Sequence, residues 1–158
     1  MALGYLLDTN ICIYIARHHP LEVLERFRKL QPGDVGMSSV TYGELCYGAC
    51  KSRHRREARA ILEELATVIP VLAMGSDAVD RYGEIRAELE GRGCVIGNND
   101  LWIAAHALSL GVVLVTNNQR EFIRVPGLKV QNWVKATSPT RVHEKARPYR
   151  TKPKTPRI

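Results

Sequence analysis

The 158-residue chain predicts an α/β domain of three αβα layers around a short, mainly parallel sheet. Three features carry this. Short apolar runs alternate with segments of helical period, a pattern that implies βαβ units and therefore parallel strands covered on both faces. Capping and turn residues stand at the junctions between these runs. A nearly all-apolar segment, LWIAAHALSL, precedes the valine-rich VVLVT, as expected of a buried helix feeding a buried strand.

GYLL reads as the first strand, and DTNICIYIAR as the first helix, with Asp8 at the junction. LEVLERFRKL has helical spacing and stops at Pro32-Gly33. DVGMSSV is a second strand, followed by helices through VTYGELCYGAC and RREARAILEELA and by the short apolar run VIPVL. DAVDRYGEIRAELEGRG is helical by period and ends at its glycines. After VIGNND comes the apolar helix closed by Gly111, then VVLVT, a short helical QREFIR and a last strand, KVQNW.

The apolar share of 45% and charged share of 25% belong to an ordinary globule. The net charge of +7 is concentrated at one end. From Ser138 onward seven basic residues face one acid, so residues 1–137 are close to neutral. We therefore expect one domain over 1–136 and a basic, proline-containing tail over 137–158, too poor in apolar residues to offset its ordering entropy. The four cysteines form no Cys-x-x-Cys pair, and no run is long and apolar enough for a signal or spanning segment. A cytoplasmic protein with reduced thiols and no membrane partner is expected.

Three carboxylates stand where a strand or loop feeds a helix: Asp8, Glu44 and Asp100. Each has a structural explanation. Asp8 suits an N-cap. Thr41 and Glu44 have capping-box spacing. Asp100 suits the dipole in the first turn of its helix. Taken together they share a further property, because strand-to-helix junctions of a parallel sheet gather along its carboxyl edge, where ligands bind. Converging carboxylates repel without a cation, and they offer the hard oxygen ligands that Mg²⁺ or Mn²⁺ takes. Thr116, Asn117 and Asn118 follow the valine-rich strand to the same edge, and Asn118 with Glu121 again has capping-box spacing.

LLDTN, SSVTYGEL, IRAEL and the long IGNNDLWIAAHALSLGVVLVTNNQREFIRVPGLKVQNW, in this order over about residues 3–134, resemble VapC-type PIN-domain toxins. The resemblance implies a PIN-like fold and a metal-dependent endoribonuclease, with Asp8 and Asp100 as principal Mg²⁺ (or Mn²⁺) ligands and Glu44 as the third acid, direct or through water. Thr9 and Thr116 fall where the family often has a hydroxyl near metal or phosphate. A fourth acid, frequent after the last core strand, is replaced here by TNNQREF; Asn118 stands near its place, and Glu121 is the substitute. The resemblance also implies an RNA substrate, often tRNA or another structured RNA, a VapB-like antitoxin reaching the acidic cleft, and a homodimer.

The expected chemistry is in-line attack of an activated water on a phosphodiester, leaving a 5′-phosphate and a 3′-hydroxyl. Flanking cations would be needed to bring RNA to an acidic cleft, and the candidates are Arg17 with its neighbouring histidines, Arg53, Arg55 and Arg56 with Lys51 and Arg59, and the tail. Tyr42, Tyr47 and Trp102 are candidates for stacking on bases, with core packing as the alternative. His106 reads as a hydrogen-bonded core residue. Two other classes compete. A phosphatase using Asp8 as nucleophile needs a second acid where Asn10 stands. A PIN-like RNA- or protein-binding module without turnover, or a processing nuclease without an antitoxin, would keep the fold and lose part of the function.

Overall fold

A computed structural model describes residues 2–135. The expected tail lies outside them. Five parallel strands form the sheet: β1 (Tyr5–Leu7), β2 (Val35–Ser38), β3 (Val71–Leu72), β4 (Val113–Val115) and β5 (Val130–Gln131), in the order β3-β2-β1-β4-β5. Leu6 is paired with Gly36 on one side and Leu114 on the other, so the first strand is the centre of the sheet. The chain builds outward from it in both directions. The switch of direction lies between β1 and β4, and an open parallel sheet leaves its ligand crevice at that place.

Helices α1 (Thr9–Ala16), α2 (Leu21–Arg28), α3 (Ser39–Lys51), α4 (Arg55–Val68), α5 (Ser76–Gly91), α6 (Asn98–Leu110) and α7 (Gln119–Phe122) fill the connections. Side chains alternate across a strand, so adjacent residues enter different cores. Leu7, Met37 and Val115 pack with Ile11, Leu45 and Leu62 of α1, α3 and α4. Leu6 and Leu114 pack on the other face with Ile85, Leu101, Ile103 and Phe122 of α5, α6 and α7. Burial on both faces is why these strands read as apolar runs without alternation. The three layers and the parallel sheet match the expectation from sequence.

One boundary differs. Ser39 and Val40 belong to α3, not to the second strand, because Ser38 turns to cap the helix: its Oγ accepts from the Val40 N–H at 3.2 Å. His106 of α6 holds the same hydroxyl from below, with Nδ1 3.0 Å from Ser38 Oγ. It is a buried core residue, and burial lowers its pKa. α6 ends as the sequence indicates, at Gly111 with φ 66°, a left-handed position that a side chain would strain.

Candidate active site

Asp8 leaves the carboxyl end of the central strand and caps α1. Its Oδ1 accepts from the Thr9 N–H at 2.8 Å, and its Oδ2 accepts from Thr116 Oγ1 at 2.7 Å and from Asn10 Nδ2 at 3.2 Å. The backbone is fixed as well, since the Asp8 N–H donates to the Val115 carbonyl at 2.9 Å. The capping role and the site role are therefore the same arrangement. Thr116, fully buried, also accepts from the Asn118 N–H at 2.9 Å.

Glu44 is no capping-box residue. The helix begins three residues earlier than a Thr41 cap requires, so Thr41 is buried with no partner for its hydroxyl among the described residues, and Glu44 lies in the second turn. There it is bound from two sides: Thr9 Oγ1 donates to Oε2, and Asn99 Nδ2 donates to Oε1 at 3.0 Å. Asn99 immediately precedes Asp100, so Glu44 and the N-terminus of α6 are held together. Asp100 itself is half-buried in the first turn of α6, over Gly97, where an added Cβ would sit 3.3 Å from its Oδ2.

The acids also perturb one another electrostatically. Burial, then the charges of Asp8, Glu44 and Glu121, push the Asp100 carboxyl up to about 6. Burial and, among the charges, Glu44 also raise Asp8, against the hydrogen bonds from Thr116, Thr9 and Asn10. None of Asp8, Glu44 or Asp100 has an ion-pair partner among the described residues. Mutual repulsion without a counter-charge is the condition that a divalent cation relieves. Among the described residues no three possible ligands are drawn together tightly enough to enclose an ion. Mg²⁺ does not demand that, because it keeps several waters and binds through one or two carboxylates plus substrate oxygens. The residues fit such an ion.

The fourth position is a departure. Asn118 heads α7 but makes no side-chain cap, and Glu121, expected to pair with it, instead meets Arg124 at 3.4 Å. Glu121 still contributes its charge to Asp100. Cys12 is fully buried beneath the site with its thiol donating to the Leu7 carbonyl, and burial and the Asp8 charge push that thiol well up.

The sequence places Asn117 at this edge but does not reveal which amides it joins. Asn10 Oδ1 accepts from the Asn117 N–H at 3.0 Å, while Asn117 Nδ2 reaches the Tyr14 hydroxyl at 3.1 Å and its Oδ1 accepts from Asn132 Nδ2 at 3.0 Å. This chain braces the loop after β4 against α1. The Asn10 that speaks against a phosphatase thus supports the Asp8 carboxylate instead. Of the expected cations, Arg17 shares with Thr9 and Glu44 the rim of a groove of about 330 Å³ between α1, α3 and α4. Arg53, Arg55 and Arg56 are exposed at the bend between α3 and α4. Trp102 is stacked on Tyr82, with centroids 3.7 Å apart, and Tyr42 packs against the core.

A family model described as PIN domain matches residues 5–128. The chain belongs to the PIN-domain family. Within it, the chain is 45% identical over 132 residues to Ribonuclease VapC2 of Haemophilus influenzae, covering 84% of this chain and 99% of that one. It is also 45% identical over 131 residues to the tRNA(fMet)-specific endonuclease VapC of Shigella flexneri, covering 83% and 98%. The solved VapBC-1 of nontypeable Haemophilus influenzae superposes with a TM-score of 0.78 at 42% identity, over 84% of this chain and all of that one. The PIN domain here is thus of the VapC kind in sequence and in fold. Among the described residues, no helix is long and apolar enough to cross a membrane.

Proposed function

We propose that this PIN-domain protein is a VapC-type toxin, an endoribonuclease that hydrolyses RNA with Mg²⁺ or Mn²⁺ at Asp8, Asp100 and Glu44, and that a VapB-like antitoxin restrains it. The single observation that supports the site most is that Asp8, Glu44 and Asp100, none with an ion-pair partner among the described residues, lie where helices start at the carboxyl edge of the sheet, with Asp100 raised by burial and then by its acidic neighbours. VapC relatives at 45% identity support the reaction, and the VapBC-1 neighbour supports the partner.

Each residue has a distinct task. Asp8, its oxygens oriented by Thr116 and the Thr9 N–H, is the most rigidly placed ligand. Asn99 and Thr9 turn Glu44 toward the same crevice. Asp100 holds a proton more readily than an isolated carboxyl and releases it as a cation arrives. A bound divalent cation supplies charge neutralisation at the phosphate oxygens and a more acidic water. Thr116 and Thr9 hold the acids without adding charge. Hydrolysis by water leaves a 5′-phosphate and a 3′-hydroxyl, and needs no histidine. The substrate class we infer is tRNA, as in the name of the Shigella relative. The apolar groove beside Glu44 and Thr9, with Arg17 at its rim, is a surface that an antitoxin segment can fill while blocking the acids. A homodimer is part of the same proposal, to be read by light scattering.

The test is to incubate the purified protein with total tRNA, with Mg²⁺, with Mn²⁺ and with EDTA, and to map the cut ends. We expect metal-dependent cuts with 5′-phosphate ends, lost with EDTA, and a fall of more than ~100-fold in Asp8→Asn or Asp100→Asn, since even outer-shell changes at metal sites cost 10–100-fold. RNA binding without cutting in Mn²⁺ would instead establish the non-catalytic module.

A further inference from the structure

The face of α3 that carries Glu44 continues outward with residues the chemistry above does not use. Tyr47 and Lys51 follow Glu44 at i+3 and i+7, which places all three on one side of the helix. At a rise of ~1.5 Å per residue, Tyr47 lies ~4.5 Å and Lys51 ~10.5 Å along the axis from the acid. Tyr47 is 65% exposed, the most exposed aromatic side chain among those described, and Lys51 Nζ stands 5.1 Å from its ring centroid. Lys51 makes no ion pair among the described residues.

Beyond it, at the α3–α4 bend, Arg53, Arg55 and Arg56 are exposed. Arg55 and Arg56 open α4 beside Glu57 and line a hollow with Ala49 and Cys50, on a different side of α3 from Glu44 and Lys51. The order along the stripe is therefore acid cluster, exposed ring, ammonium.

We infer that the Glu44 face of α3 is the track of a single-stranded RNA segment. Tyr47 is the platform for a base beside the scissile phosphate, and Lys51 holds a phosphate further along. This rests on the ribonuclease reading above and adds the path of the strand. The ~10.5 Å from Glu44 to Lys51 spans roughly three nucleotides of a stacked strand at ~3.4 Å each. A single strand suits the ring because a splayed base offers its face, whereas a base inside a duplex does not. A protein partner on the same stripe would have to offer an acid for Lys51, and it is the outcome that the test separates.

The experiment measures binding of a fluorescein-labelled oligouridylate, and of the same oligomer with abasic riboses, to the full chain in Ca²⁺ over a salt series. Tyr47→Ala is expected to weaken binding of the oligouridylate roughly tenfold or more, Tyr47→Trp to restore it, and the abasic oligomer to bind wild type and Tyr47→Ala alike. Lys51→Ala is expected to lower the slope of log affinity against log salt by about 0.7, the single-strand value for one phosphate contact. Circular dichroism checks that each variant is folded. Wild-type affinity in a folded Tyr47→Ala overturns the track, as does a Tyr47→Ala effect confined to self-association or antitoxin binding. The ribonuclease reading fails separately, by the absence of metal-dependent cuts in tRNA, since the binding measurement needs no turnover.

Discussion

Asp100 illustrates how one side chain couples stability to the cation proposed for the site. An unfolded chain gives up this proton near 3.8 and the folded protein near 6, so between those values the folded state binds more protons and its stability falls as pH rises. Above about 6 the metal-free protein carries the full penalty. Asp100 is half-exposed, and after discounting for solvent screening the penalty is on the order of 1 kcal/mol or less. Asp100→Asn is therefore expected to raise the melting temperature of the metal-free protein at pH 7 by a few degrees and to abolish most of the further rise on adding Mn²⁺. Calorimetry at pH 5 and pH 7, with and without metal, measures both. In wild type the metal-induced rise should be larger at pH 7 than at pH 5, because below about 6 the ion must displace a proton. An equal rise at both pH values would remove Asp100 from the metal site.

At the level of elements, the helix ends decide where the chemistry sits. α6 is a nearly continuous apolar cylinder whose N-terminus presents Asn98, Asn99 and Asp100, and whose C-terminus needs Gly111 at φ 66°. Gly111→Ala is expected to cost about 1 kcal/mol, lowering the melting temperature by a few degrees while tRNA cleavage at 25 °C is retained. Thermal unfolding alongside the cleavage assay checks it. The elements themselves were legible in the sequence because apolar period, Gly111 and the Asp8 junction are local signals. The start of α3 was not: SSV fits a strand as well as a helix opening, and the spacing of Thr41 and Glu44 imitates a capping box. The Ser38 cap on the Val40 N–H sets that boundary, and the contact of His106 with the same hydroxyl is a tertiary one that no local pattern shows. The pairing in the amide brace was invisible for a related reason, since Asn10 and Asn117 are 107 positions apart and no local pattern joins them. Glu121 misled in the opposite sense, with a local spacing that its ion pair with Arg124 overrides.

Across the whole molecule, the charge is divided between a nearly neutral 1–137 and a tail with seven bases and one acid. Removing residues from Ser138 onward is expected to lower tRNA affinity and flatten its salt dependence while metal-dependent cutting persists; an unchanged salt slope would show that the tail takes no part in binding. The order of the strands has a consequence in time as well as in space. Asp8 is made almost first, yet the hydroxyl that orients it belongs to Thr116, and the strand that fixes its backbone is β4. A chain emerging from the ribosome cannot assemble this centre until most of the domain has been synthesised. The hydrogen bonds that orient Asp8 thus form only after residue 116 has left the ribosome, so the proposed centre is among the last parts of the domain to be completed.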